Sequence, residues 1–350
     1  VGVKLSDIAG KAGVSAATVS RILRKGCTDK SSSGQKVLRI VKEMGYAPNR
    51  NKKPQGLGNI LFIMKATKQG DDCESLIYSF SSFYGQFLYS AEKEVRKRQG
   101  TLTVCHADEN TVKRASWFRN TIRDSNCRGA ILLGGHFDAE SMDIYQEKTP
   151  IVILNALPGV TDADSVAPDD EGGVRMVVRH LVKLGHQRIA FWADRDQTGQ
   201  IVHHSITRLR GYESGLDEAG LNYSRIYSEE INDKPFLERM EGGFQAYLKD
   251  PERPTAIVCP GDSFAYRVLR MAFDHGINVP GELSIFGFDD SDFSSHSHPQ
   301  MSTVNIHRMW MGQEAVRLIN RRLNDPKCPP CQVIVQAKVI ERETSGPAPS

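Results

Sequence analysis

From Asn59 onward, short apolar runs alternate with amphipathic stretches of helical period, and this alternation most narrows the folds open to the 350-residue chain. The runs at 59–64, 101–105, 129–133, 150–154, 188–192, 255–259 and 283–287 have strand length. Helical spacing fills 84–98, 171–184, 208–219, 235–248, 263–275 and 308–323 between and after them. Strand and helix in alternation build parallel sheets with helices on their faces, an α/β architecture. That many elements exceed one small sheet, so two lobes are expected. A ligand would then sit outside the carboxyl ends of the strands, where the lobes face a shared cleft.

The leading segment follows a different rule. Residues 1–56 carry twelve Lys/Arg and three Asp/Glu, a net +9, whereas the remaining 33 basic and 39 acidic residues give −6. A small, strongly basic module points to nucleic acid as its partner. Leu5, Ile8, Ala9 and Ala12 fall at helical spacing with Ser6 as a possible N-cap, and Gly13 breaks the pattern. Ser15 can cap a second helix that packs Val19, Ile22 and Leu23 while Ala16, Ala17, Thr18, Ser20 and Arg21 stay small or polar. A third helix, Ser32 to Met44, offers Val37, Leu38, Ile40, Val41 and Met44 before Gly45 stops it. An all-α bundle with a solvated basic surface is one reading. The other is a helix-turn-helix whose second helix enters a major groove while lysines and arginines attract phosphate, and charge and spacing together favour it.

The strings Leu5-Ser6-Asp7-Ile8-Ala9, Ala12-Gly13-Val14-Ser15, Thr18-Val19-Ser20-Arg21 and Gly45-Tyr46-Ala47-Pro48-Asn49-Arg50 resemble the headpiece of the lactose repressor and galactose repressor family of bacterial regulators. The resemblance implies a sequence-specific DNA-binding regulator, more often a repressor, acting as a homodimer on double-stranded operator DNA with two half-sites. It puts Ala16 and Ala17 at the variable readout positions and Arg21 at a major-groove contact, with Lys4, Ser15, Thr18, Ser20, Asn49, Lys52 and Lys53 in the interface. Alanine methyls suit thymine methyls, and arginine suits guanine O6 and N7. Family members continue into a hinge helix whose leucine wedges into the minor groove. Here Pro54, Gly56 and Gly58 oppose a helix and Gln55 occupies the wedge position, so 51–58 is expected to be an irregular linker.

The resemblance extends through His180-Leu181-Val182-Lys183-Leu184-Gly185-His186, Arg208-Leu209-Arg210-Gly211-Tyr212 and Val279-Pro280-Gly281-Glu282-Leu283 to Gly287-Phe288-Asp289-Asp290. It implies a two-lobed fold like that of periplasmic binding proteins, with a small-molecule effector, a saccharide, between the lobes. The lobes are expected at 59–157 plus 288–322 and at 158–287 plus 323–344, with crossovers near 155–160, 287–291 and 320–330 and a disordered tail at 345–350. The family's cleft arginine falls on Arg208 and its cleft aspartate on Asp289; Arg208 could instead pair with a neighbouring acid, and Asp289 could cap a turn. Phe83 and Tyr84 correspond to an aromatic pair that stacks on a ligand or packs in the core. His136, Asp169, Asp170 and Asp262 complete the expected effector set. Gly261 stands where relatives often carry asparagine, and 65–82 matches poorly.

Other classes fare worse. No apolar run approaches a bilayer span, and the first residues lack a secretory apolar stretch, so a cytoplasmic protein without membrane contact is expected. Seven scattered cysteines do not form a disulfide framework, and Cys328-Pro329-Pro330-Cys331 reads as a proline-rich loop for want of further metal ligands. His203-His204 and His296-Ser297-His298 read as loop histidines. With no phosphate-binding glycine fingerprint and no nucleophile elbow, no enzymatic activity, cofactor or metal is expected.

Overall fold

The computed structural model describes residues 5–25, 31–44, 56–65, 83–107, 115–134, 149–156, 163–196, 198–229 and 236–349. Val1–Gly56 and Leu57–Ser350 form separate compact units. In the first, α1 (Leu5–Ala12), α2 (Ala16–Lys25) and α3 (Ser32–Glu43) each bury one stripe. Ile8, Ala9 and Ala12 meet Val19 and Ile22, and Val37 and Ile40 close the small core. Gly13, at φ +71°, makes the turn between α1 and α2. Ser15 caps α2, its Oγ accepting from the Thr18 N–H at 3.1 Å, and Ser31 caps α3 through Gly34 at 3.0 Å. Ser6 is not a cap: α1 already includes Leu5, and the Ser6 hydroxyl donates to Asp7 Oδ1 at 3.4 Å.

The second unit runs β1 (Asn59–Lys65), α4 (Gly85–Lys97), β2 (Thr101–Ala107), α5 (Ala115–Asp124), β3 (Gly129–Leu133), β4 (Ile151–Leu154), β5 (Asp164–Pro168), α6 (Asp170–Lys183), β6 (Ile189–Ala193), α7 (His203–Glu218), β7 (Arg225–Ser228) and α8 (Phe236–Lys249). It continues with β8 (Ala256–Val258), α9 (Asp262–Asp274), β9 (Ser284–Phe286), α10 (Asp292–His296), β10 (Thr303–Asn305), α11 (Arg308–Asn324), β11 (Gln332–Val335) and β12 (Lys338–Ile340). One sheet has the order β11-β5-β4-β3-β1-β2 and a second β7-β6-β8-β9, both parallel throughout. A short antiparallel ribbon, β10 with β12, accompanies them. This is the expected α/β architecture. The strands β3, β4, β6 and β8 read as apolar runs because helices cover them, and they are buried at every position.

Several boundaries differ from expectation. β5 and β11 join the first sheet, although 158–168 and 323–344 were expected in the second lobe. The chain therefore passes to the second sheet after Pro168, returns between β10 and α11, and passes across again after Val335. β5 carries Asp164, Ser165 and Pro168, a composition that does not read as a strand. Its polar start is buried because Arg321 and Arg322 pair with Asp164 at 2.9 and 2.8 Å. Residues 345–349 of the expected tail are packed rather than disordered. Gly346 N–H donates to Ser284 Oγ at 3.1 Å, its carbonyl accepts from His186 Nε2 at 3.0 Å, and Ala348 N–H donates to the Leu184 carbonyl at 2.9 Å. His203 and His204 open helix α7 and His296 ends α10, rather than lying in loops.

Candidate functional site

Two surfaces carry the residues singled out from the sequence. On α2, Ser15, Ala16, Ala17 and Arg21 are exposed and Thr18 and Ser20 half-exposed, while Val19 and Ile22 are buried. One helix face is thus anchored and the opposite face is smooth, with a guanidinium one turn along it. Lys4, Asn49, Lys52, Lys53 and the hinge residues Pro54 and Gln55 lie outside the described residues.

The second surface forms where β6, β8 and β9 end. Arg208, in the second turn of α7, is 4% exposed. Its Nε donates to Asp170 Oδ1 at 3.1 Å, one Nη donates to Asp289 Oδ1 at 3.3 Å, and the other to the Pro260 carbonyl. The guanidinium carbon lies over the Phe288 ring, 3.8 Å from its centre. Burial opposes its charge, but Asp170, Asp289 and Asp262 outweigh that penalty and raise its pKa.

Asp262, the first residue of α9, is 1% exposed and accepts from the Ser291 N–H and hydroxyl at 2.6 and 2.8 Å and from the Thr303 hydroxyl at 2.5 Å. Its carboxyl is nevertheless pushed up to about 7, chiefly by burial and then by the charge of Asp289. A Cβ at Gly287 would strike this carboxylate, so glycine is needed where the chain leaves β9. Asp289 and Asp290 follow in the left-handed region, at φ +103° and +52°. Burial raises the Asp289 pKa against the pull of Arg208 and Arg308. Asp290 accepts from Arg342 and Asn305, each at 2.7 Å.

From the first lobe, Phe83 and Tyr84 stand at the start of α4, with Phe83 edge-on to Tyr84 and to Phe87. Arg308 at the start of α11 is 3% exposed and ties them to the crossover, donating to the Phe83 carbonyl at 3.1 Å and to the Asp290 carbonyl at 2.7 Å. The Tyr84 phenol is raised by burial and by the charge of Asp289. Tyr84, Asp170, Arg208, Asp262 and Asp289 thus share one electrostatic cluster. Asp169 acts locally instead, its carboxylate capping α6 by accepting from the Gly172 N–H at 2.9 Å. His136 lies outside the described residues.

Sequence reasoning missed Arg308, Asp290 and Arg342, and it missed His204, whose Nε2 lies 3.4 Å from Asp194. Arg308 left a faint signal, since a cation in the first turn of a helix opposes the macrodipole and calls for another reason to be there. The arrangement offers carboxylate acceptors of fixed direction beside aromatic edges, which suits a ligand rich in hydroxyl donors. Among the described residues no group of three or more His, Cys, Asp or Glu is placed to hold a metal ion, and no helix is long and apolar enough to cross a membrane.

Residues 4–49 match the model of bacterial regulatory proteins of the lacI family, and residues 178–345 match a periplasmic binding protein-like domain. Among curated relatives, Catabolite control protein A of Priestia megaterium is 28% identical over 92% of this chain and 93% of its own. The Ribose operon repressor of Escherichia coli (strain K12) is 26% identical with the same coverage. Among solved structures, a transcriptional regulator CelR–cellobiose complex superposes with a TM-score of 0.68 at 22% identity, covering 98% of this chain and 99% of that one. The lac repressor dimer bound to operator and the anti-inducer ONPF also gives 0.68, at 20% identity and 99% and 100% coverage, a likeness of fold.

Proposed function

We propose, from the premise that the chain belongs to the lacI family of bacterial regulatory proteins, that it is a transcriptional regulator whose hold on operator DNA is set by a small molecule bound at the Arg208 cluster. The observation that carries the reading is the exposed face of α2, Ser15, Ala16, Ala17 and Arg21, capped and backed by a small core within the matched region. Small residues let the helix approach base edges closely, Arg21 reads a guanine, and the +9 charge of 1–56 supplies phosphate attraction without sequence preference. Its relatives carry the names of regulators rather than enzymes. Our reading therefore gives the cleft a ligand to bind and release, not one to transform.

A homodimer on two half-sites, in the cytoplasm, is the working state in this reading, supported by the operator-bound dimer among the structural neighbours. The effector is a saccharide. Support comes from the carboxylate and aromatic lining of the cluster and from neighbours solved with cellobiose and with ribose. Residue by residue, Arg208 orients Asp170 and Asp289 toward ligand hydroxyls, and Tyr84 and Phe83 flank the ring. The test is selection of bound sequences from random duplexes, with and without a panel of saccharides and nucleosides. A two-half-site sequence whose enrichment changes with one saccharide is expected. Failure to enrich any such sequence at moderate salt overturns the regulator assignment, and a response to nucleosides alone overturns the saccharide.

A further inference from the structure

Arg188 and Thr255 stand just before the parallel strands β6 and β8, and the space beside them is a pocket at the opposite end of the second sheet from the Arg208 cluster. It measures about 540 Å³, and Tyr247, Glu252, Arg253 and Glu282 also line it. Its wall is built from hydrogen bonds. Arg188 Nε donates to the Arg253 carbonyl at 3.1 Å, the Tyr223 hydroxyl to the Glu252 carbonyl at 2.9 Å, and the Glu252 N–H to Asp250 Oδ1 at 2.9 Å. The Arg253 guanidinium carbon stands over the Tyr247 ring, 5.7 Å from its centre.

The acids of this wall already have partners. Asp250 accepts from the Tyr227 hydroxyl at 2.8 Å and from Arg225 at 3.2 Å, Glu252 accepts from Arg225 at 3.1 Å, and Glu282 accepts from the Asn278 N–H at 2.9 Å. The donors do not. Among the described residues neither Arg188 nor Arg253 forms an ion pair, and no hydrogen bond engages the Arg253 guanidinium. Nor does one engage the Tyr247 phenol, although Tyr247 is only 2% exposed. Burial pushes that phenol up to about 12, so it keeps its proton to donate. Spare donors on two arginines and a buried phenol call for an anion. Because they come from three side chains rather than one planar fork, they suit the tetrahedral oxygens of a phosphate better than the coplanar pair of a carboxylate. The second carboxylate oxygens of Glu252 and Glu282 can accept from hydroxyls, and Leu248 and Ile277 add apolar wall. The volume lies within the range of about 300–1,000 Å³ usual for small-molecule sites, which leaves room for an organic body beyond the phosphate. We propose that this pocket is a second ligand site, taking a small phosphate monoester with a hydroxylated body, separate from the Arg208 cluster and independent of the regulator reading.

The test is calorimetric titration of the full chain with glycerol 3-phosphate, ribose 5-phosphate and mannitol 1-phosphate, and with glycerol, ribose, mannitol, ribonate and inorganic phosphate. At least one monoester is expected to bind with a Kd below about 1 mM, at least about tenfold tighter than ribonate or inorganic phosphate. Arg253→Gln should weaken that monoester at least about tenfold, and Tyr247→Phe, which keeps the ring, about two- to tenfold. Neither side chain holds a hydrogen bond that the fold needs, so both variants should fold, and any binding of the neutral probes should stay as it is in the parent. No monoester bound at that level, a monoester affinity unchanged in either variant, or ribonate bound as tightly with the same dependence on Arg253 overturns the proposal.

Discussion

Arg208 commits its charge inside the protein before any ligand arrives, since Asp170 and Asp289 already take two of its donors. Removing it leaves two buried carboxylates without their hydrogen-bonded counter-charge, a change that costs about 3–5 kcal/mol at buried pairs. Arg208→Gln is therefore expected to lower the melting temperature and, on our reading, to weaken effector binding at least about a hundredfold by calorimetric titration. Asp262 gives a signature in pH. Its folded carboxyl lies near 7 against an ordinary 3.8, so the folded state holds a proton that the unfolded chain releases between those values. Its contribution is most favourable below 3.8, is lost as pH rises toward 7, and is flat above. In urea titrations, Asp262→Asn should accordingly gain on the parent as pH rises from about 4 to about 7. On α2, Arg21→Ala is expected to lose about 1–3 kcal/mol of discrimination at one guanine while leaving random-sequence binding nearly unchanged, read by competition with single-base operator variants. The cation and anion of the cluster were legible through resemblance. Asp169 and Asp170 were not separable, because whether an acid caps a helix or faces an arginine depends on where that helix starts.

At the level of elements, the seven strands expected from apolar runs are all present: β3, β4, β6, β8 and β9 are covered on both faces and buried at every position, whereas the edge strand β2 is mostly exposed. Five others were missed: β7 leaves Ile226 exposed, β11 alternates, β5 begins on a buried carboxylate, and β10 and β12 pair with each other in a short antiparallel ribbon. Helix contacts were hidden in single glycines. At Gly211 the backbone of Glu171 occupies the space a Cβ needs, so α7 and α6 touch through their main chains next to Asp170. Gly211→Ala should force them apart at a cost of about 1–3 kcal/mol and should loosen the Asp170–Arg208 pair, seen as a lower melting temperature together with weaker effector binding. Ser15→Ala removes the α2 cap and should destabilise the headpiece by about 1 kcal/mol, measured by amide exchange within α2.

Across the whole molecule, the division after Gly56 coincides with the charge boundary, and a fragment comprising 57–350 is expected to keep effector affinity and lose operator binding in parallel titrations. The two-lobed plan was legible in the number of elements. Which segment belongs to which lobe was not, because the returns through β5, β10 and β11 depend on pairings far apart in sequence. Asp164 shows what that layout means while the chain is being made. Its partner Arg321 lies 157 residues downstream. At ~5–20 residues per second, roughly 8–30 seconds of synthesis separate the two. Over that interval the first sheet lacks its β11 edge, and the carboxylate at the head of β5 has neither guanidinium. Among the described residues, by contrast, the core of the first unit is drawn from positions 8–44 alone. The ribosome thus releases a finished DNA-reading head long before the lobes behind it can close.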